Sequence, residues 1–96
     1  MLLCIETGKI MESFDNLTKT IKELKNDKEI YKFLVELLTE NEINVLSKRW
    51  RILNMLKDGC TQREISSELG VSLCKVTRGS KILKDKKSII AKILKG

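Results

Sequence analysis

Apolar residues recur at three- and four-residue steps through most of this chain, and each break in that rhythm carries a residue that starts or stops a helix. From Ser13 onward, Phe14, Leu17, Ile21 and Leu24 form one stripe. The polar run Lys25-Asn26-Asp27-Lys28 interrupts it, and Asn26 with Glu29 three residues later marks a new helix start. Ile30, Phe33, Leu34, Leu37 and Leu38 make the second stripe. Thr39-Glu40-Asn41-Glu42 then reads as a capping box, in which a threonine hydroxyl accepts from a free amide and a glutamate reaches back to the cap. The third helix turns Ile43, Leu46, Trp50, Leu53 and Leu56 inward, and Gly59 suits the left-handed position that ends it. A second capping box, Thr61-Gln62-Arg63-Glu64, opens a short helix with Ile65 and Leu69 as apolar contacts and Gly70 as its stop. Ser72 is placed to cap a fifth helix that carries Val76, Ile82 and Leu83 toward the core. After a polar joint at residues 85–88, Ile89, Ile90, Ile93 and Leu94 form a last amphipathic helix. The expected fold is all-α, with six helices. The chain has no proline and five glycines, too few turn residues for a β sandwich.

Ninety-six residues supply one domain, expected over 13–96. Residues 1–12 show no sustained period and are expected to form a flexible N-terminal arm, with Met11 an alternative start. A chain that is 42% apolar and 33% charged has the balance of a globular domain, not of a disordered tail. No apolar run approaches the roughly 20 residues that span a membrane. Met1 to Ile5 is too short for a signal peptide and lacks a basic flank, so a cytoplasmic protein without membrane partners is expected. The absence of histidine removes the commonest general base and metal ligand. Cys4, Cys60 and Cys74 form no CxxC pair, so neither a metal site nor a disulfide framework is expected. With no glycine-rich phosphate loop and no convergent carboxylate pair, an enzyme is the weakest reading. No catalytic residue is assigned.

The net charge of +6 is unevenly spread. Residues 1–60 hold ten basic and ten acidic residues; residues 61–96 hold nine basic residues against Glu64, Glu68 and Asp85. The excess lies wholly in the last third, where an acidic polymer is the natural partner. Residues 61–84 within that third read as a helix-turn-helix: a capped short helix, a glycine, a tight turn and a second capped helix. Gly70 permits the turn, and Ile65, Leu69, Val71 and Val76 lock the two helices together. The second helix can then enter a major groove. Its early residues Ser72, Leu73, Cys74, Lys75 and Thr77 are mostly small or polar and can approach base edges, while Lys81 and Lys84 reach phosphates. Cys74 fits a small apolar contact such as a thymine methyl. Lys86, Lys87, Lys92 and Lys95 read as a solvated face.

Gln62-Arg63-Glu64-Ile65, Glu68-Leu69-Gly70-Val71-Ser72 and Val76-Thr77-Arg78-Gly79-Ser80 with Leu83-Lys84 resemble the Trp repressor family. Leu38-Thr39, Glu42, Leu46, Arg49 and Arg51-Ile52 are similar to the helix that precedes that family's reading head. The resemblance covers about residues 13–95. It implies an intertwined homodimer that binds a palindromic double-stranded DNA operator, with L-tryptophan as corepressor. Two reading helices roughly 34 Å apart are the spacing general to dimeric helix-turn-helix proteins, the Trp repressor among them. Arg49 and Arg78 match the arginines that sandwich the indole, Arg78 also the partner of the carboxylate, and Thr39 and Gly79 match further pocket positions. Guanidinium planes stack on aromatic faces as lysine does not. Gln62, Arg63, Ser72, Leu73, Cys74, Lys75, Thr77 and Lys84 match DNA-facing positions.

Three features depart from the tryptophan-responsive members. The loop at Asp58-Gly59-Cys60 is one residue shorter, a spacing similar to the YerC/YecD group, for which tryptophan need not be the effector. Ile82 stands where those repressors place a serine that helps bind the ligand's amino group, and Lys75 where a threonine lines the site. Without the resemblance, Arg49 and Arg78 read as surface or salt-bridging residues. Trp50 reads as a core or dimer-interface anchor rather than a ligand platform. Two other readings stay open: a ligand-independent or differently regulated member of the same family, and a helical protein-interaction module whose basic third docks an acidic partner. A pull-down that survives nuclease treatment distinguishes the last from a DNA-binding regulator.

Overall fold

The computed structural model describes residues 7–95. Among them are six helices and no strand: α1 (Thr7–Glu23), α2 (Asp27–Leu37), α3 (Glu40–Lys57), α4 (Gln62–Leu69), α5 (Leu73–Lys84) and α6 (Ile89–Lys95). The all-α, six-helix architecture is the one that the apolar periodicity predicts. None of the described helices is long and apolar enough to cross a membrane.

The chain divides into two compact units, one ending at Thr39 and the other beginning at Glu40. Among the described residues, the first unit has none that is fully buried. Its first helix begins earlier than Ser13. Residues 7–12, expected in the arm, are helical, because Ile10 and Met11 extend the Phe14–Leu17 stripe backward by steps of four and three. The rest of the expected arm lies outside the described residues. The start of α2 follows the sequence closely: the Glu29 amide donates to Asn26 Oδ1 (2.9 Å), and the Lys25 amide donates to Glu29 Oε1 (2.9 Å). Two helix-end amides are thereby satisfied without water.

The second unit carries the core. Ile52 and Met55 of α3, Ile65 of α4 and Val76 of α5 form one buried cluster, with Leu56, Cys60, Leu69 and Val71 half-buried around it. Ile65 and Val76 are both fully enclosed at 0% exposure. Each such side chain contributes about 1.5–3 kcal/mol from removal of apolar surface from water. Ala91 and Leu94 are the buried residues of α6.

Two details of the inward pattern differ from the sequence reading. On α3, Leu53 is buried, but Leu46 and Trp50 are 48% and 47% exposed, and Ile52 and Met55 are buried instead. The helices that follow pack on the C-terminal half of α3, so the core draws on its Ile52/Met55 edge. On α6, Ile89 and Ile93 are exposed while Ala91 and Leu94 face inward.

Gly59 ends α3 with φ +93°. The Cys60 amide donates to Met55 O (3.0 Å) and the Gly59 amide to Leu56 O (3.1 Å), which closes the helix with paired carbonyls. A different constraint acts at Gly79, in the middle of α5. A Cβ there would stand 3.1 Å from Ile52 Cγ2 and 3.2 Å from Leu56 Cδ1. Glycine lets α5 lie tightly on α3, and that contact sets the position of the helix whose outer face is the charged one.

Candidate functional site

The site is built on α4, the turn at residue 70, and α5. Thr61 starts α4 with a complete capping box: the Glu64 amide donates to Thr61 Oγ1 (3.2 Å), and the Thr61 amide donates to Glu64 Oε1 (3.0 Å). The hydrogen bonds from the Thr61 backbone and then from its side chain hold the Glu64 carboxyl below its ordinary range. Gly70 closes α4 in the left-handed conformation (φ 64°, ψ 38°). Ser66 secures the turn from both sides. Its hydroxyl donates to Val71 O (2.6 Å), and its carbonyl accepts from the Val71 amide (3.2 Å). The sequence reading missed Ser66, which sits on a polar face and bears no mark distinguishing it from Ser67.

Ser72 occupies the N-cap position of α5 in extended conformation, as expected, but its side chain makes no capping bond. Its hydroxyl therefore stays open to an incoming partner, while the Lys75 amide donates to Ser72 O (3.1 Å) and closes the first turn. Ser72, Leu73, Cys74 and Lys75 are exposed, whereas Val76 and Gly79 are buried. Helix α5 thus presents its first turn outward while its opposite face is bound to α3 and α4. Arg63, Lys81 and Lys84 are exposed as well. Lys81 and Lys84 lie in the last turn of α5, where the helix dipole favours cations.

Thr77 and Gln62, both matched to DNA-facing positions, are half-buried and meet each other. Thr77 Oγ1 lies 3.0 Å from Gln62 Oε1 and 3.0 Å from Leu73 O. One hydroxyl proton serves one of these acceptors at a time. With the Gln62 amide turned, its NH2 donates to Thr77 while Thr77 donates to Leu73, and both contacts are made at once. The pair ties α4 to α5 at the base of the exposed turn.

A cavity of about 710 Å³ opens beside this head, within the second unit. From α3 it is lined by Leu46, Ser47, Arg49, Trp50, Ile52 and Leu53. Helix α5 adds Lys75, Arg78, Gly79 and Ile82, and α6 adds Ile90. Arg49 and Arg78, far apart in sequence, therefore share one wall system, and Gly79 joins them. Thr39, matched to the same pocket, belongs to the first unit and is not among these lining residues. Lys75 serves two surfaces: it lies on the exposed first turn of α5 and also borders the cavity. Trp50, read as a core or interface anchor, is half-exposed and borders the cavity too. Leu46, Ser47 and Ile90 were not anticipated there. Leu46, Arg49 and Leu53 do follow steps of three and four along α3, the signal that could have placed Leu46 beside Arg49.

The family model for the Trp repressor protein matches residues 12–96. The chain belongs to the Trp repressor family. It is 35% identical over 72 residues to the uncharacterized protein YerC of Bacillus subtilis (strain 168), covering 75% of this chain and 69% of that protein. It is 36% identical over 75 residues to a Trp operon repressor homolog of Xylella fastidiosa (strain M23), covering 77% of this chain and 82% of the relative. A Trp operon repressor homolog of Vibrio campbellii matches at 34% identity over 76 residues, 78% of this chain and 76% of the relative. In this member of the Trp repressor family, the matched segment includes both the α4–α5 head and the neighbouring cavity. Membership points to a DNA-binding transcription regulator, a class that is regulatory and not enzymatic.

Proposed function

We propose that this protein is a sequence-specific DNA-binding repressor that acts as a homodimer on a palindromic operator and responds to a small aromatic effector held between Arg49 and Arg78. The observation that carries the reading is the division of α5: its first turn, Ser72 to Lys75, faces solvent, while Val76 and Gly79 fasten its other face to the core. A rigid, basic helix end with an exposed, uncapped first turn suits insertion into a major groove. Arg63, Lys81 and Lys84 are placed to neutralise phosphates on either side, and Gln62 with Thr77 steadies the head. The expected cytoplasmic location and the role as a regulator rather than an enzyme belong to this proposal.

The dimer rests on a separate observation. Among the described residues no side chain of α1 or α2 is fully buried, and the two helices expose Ile10, Met11, Phe14, Tyr31, Val35 and Leu37. So much uncovered apolar surface is unusual in a monomer, and a second copy that covers it supplies the twofold symmetry that a palindrome requires. L-tryptophan, the effector implied by the resemblance, offers a flat ring for the guanidinium planes and a carboxylate for Arg78.

Gel shifts on genomic fragments across a salt series test the reading. Affinity for a preferred site is expected to fall with a log–log slope of roughly −0.9 per phosphate neutralised. Arg63→Ala and Lys75→Ala each weaken binding while leaving helical content unchanged. The absence of a preferred fragment at every salt concentration, or wild-type binding by both variants, refutes the assignment.

A further inference from the structure

We propose that Ser66 is a positioning residue for DNA reading: through the Val71 carbonyl it fixes the angle at which the first turn of α5 leaves the helix-turn-helix. This deepens the reading of α5 as the helix that enters a major groove, and rests on it. Ser66 lies half-buried in α4, and both its carbonyl and its hydroxyl reach forward across the Gly70 turn. The carbonyl accepts from the Gly70 amide and from the Val71 amide (3.2 Å), and the hydroxyl donates to Val71 O at 2.6 Å. A serine inside a helix ordinarily bonds back to the carbonyl one turn behind. Here the hydroxyl is spent on the far side of the turn instead, at a distance short for an O–H···O bond.

The Val71 carbonyl belongs to the peptide that joins Val71 to Ser72. That unit is planar, so a hold on its oxygen is also a hold on the Ser72 amide. Ser72 is the N-cap of α5, and its own side chain makes no capping bond. The start of α5 is therefore held from α4, and Gly70, the residue with the widest backbone freedom, lies inside the span that Ser66 closes. Val76 is the first buried residue along α5. Ser72 stands four positions before it, about 6 Å along the axis at roughly 1.5 Å per residue. A tilt of about 10° about Val76 moves the start of the helix by about 1 Å, beyond the roughly 0.5 Å that a recognition geometry tolerates. Attraction to phosphates, shared among Arg63, Lys81 and Lys84, survives such a shift; hydrogen bonds to base edges do not. Ser66 thus governs discrimination between sequences rather than attraction to DNA as such.

Gel shifts with the full chain, with and without L-tryptophan, compare the preferred genomic fragment with a scrambled duplex of equal length. Ser66→Ala is expected to lower affinity for the preferred fragment about tenfold, toward the lower end of what one base contact is worth. Affinity for the scrambled duplex and the salt slope stay at wild-type values. Ser66→Thr, which keeps the hydroxyl, retains most of the preference, and Ser67→Ala, on the exposed neighbour, retains all of it. Hydrogen exchange on the chain without DNA reads the same hold directly. The Lys75 and Val76 amides should exchange about tenfold faster in Ser66→Ala, while the Ile52 and Met55 amides of the core keep their protection. Wild-type discrimination by Ser66→Ala overturns the inference. So does a loss of the same factor on both duplexes, or faster exchange throughout the core, since either marks a merely structural role. A wild-type chain that prefers no fragment defeats the operator reading, and the exchange comparison then decides the positioning alone: unchanged Lys75 and Val76 protection refutes it.

Discussion

Replacing Gly79 by alanine sets two effects of opposite sign against each other. Alanine in a helix interior is favoured over glycine by about 0.8–1 kcal/mol. The new methyl, however, would stand 3.1 Å from Ile52 Cγ2, 3.2 Å from Leu56 Cδ1 and 3.6 Å from Leu53 Cδ2. Optimal carbon–carbon contact lies near 3.5–4.0 Å, roughly, so the first two neighbours must retreat by several tenths of an ångström. Leu56 is half-buried and has some freedom to do so. Ile52 has little: it is 2% exposed and shares the core cluster with Met55, Ile65 and Val76. Overpacking of a filled core costs about 1–3 kcal/mol. The steric cost exceeds the propensity gain, and Gly79→Ala is expected to destabilise by about 1 kcal/mol. Urea unfolding followed by helical circular dichroism reads this as a midpoint lowered by about 0.5 M, for a slope of roughly 2 kcal/mol per molar. Protein concentration must be held constant, because association of chains would itself move the midpoint. In a Leu56→Ala background one of the two close contacts is gone, so the same substitution should cost less, with a coupling of about 0.5 kcal/mol or more. If Gly79→Ala instead raised the midpoint by its full propensity gain, α5 would not lie tightly on α3, and the placement of the reading head would be wrong.

Two further changes test the frame of that head. Ile65→Ala removes a side chain with no exposure from the junction of α3, α4 and α5 and should cost about 2–5 kcal/mol in the same unfolding assay; a loss below about 1 kcal/mol would show that the junction repacks freely. Glu64→Gln keeps the shape of the capping box but removes its titration. Because the folded-state pKa of Glu64 is lowered by its bonds to Thr61, its carboxylate adds stability above the unfolded carboxyl pKa and loses it as pH falls through the folded value. The wild type should therefore keep a constant advantage over Glu64→Gln at neutral pH, and the gap should close in acid; an advantage that grew as pH fell would contradict the sign.

Much of the second unit was legible because its signals are local. Thr61 and Glu64 lie within one turn of each other, so their reciprocal bonds follow from spacing alone, as does the Asn26 cap of α2. Gly70 announces the turn because a left-handed residue strains any side chain with a Cβ. Ser72 shows the limit of the same logic: residue type and position favour a cap, yet no side-chain bond forms. A cap is a geometric event, and serine rotamers have other uses at an exposed helix end. The role of Gly79 was not readable from spacing either. Its tightness is set by Ile52 and Leu56, more than twenty residues upstream, and local pattern carries no information about so distant a contact.

The cavity was legible only in part, for a reason that also explains the exposed apolar residues. Periodicity assigns a residue to the face that is dry in the final assembly; it does not say which partner dries it. Leu46 and Trp50 lie in phase with Leu53 on α3 and so read as core, yet the chain's own α4 and α5 cover only the Ile52/Met55 edge. Ile89 and Ile93 on α6, and Ile10, Met11, Phe14 and Leu37 on α1 and α2, are in phase and exposed in the same way. An isolated chain would have no reason to carry these stripes, since each exposed branched or aromatic side chain invites non-specific association. In the proposed dimer they are the surfaces that a second copy closes. Trp50 then stands at a boundary, facing the cavity that holds Arg49 and Arg78 and lying on the stripe still to be covered. In the proposed dimer that position gives an effector a physical route to bias the spacing of the two heads: the cavity is walled by α3 and α5 beside the exposed apolar edge that a second copy would cover. A ligand acts on such an equilibrium only through its different affinity for the two head spacings, and two of the groups that border the cavity, Lys75 and Arg78, are on α5 itself.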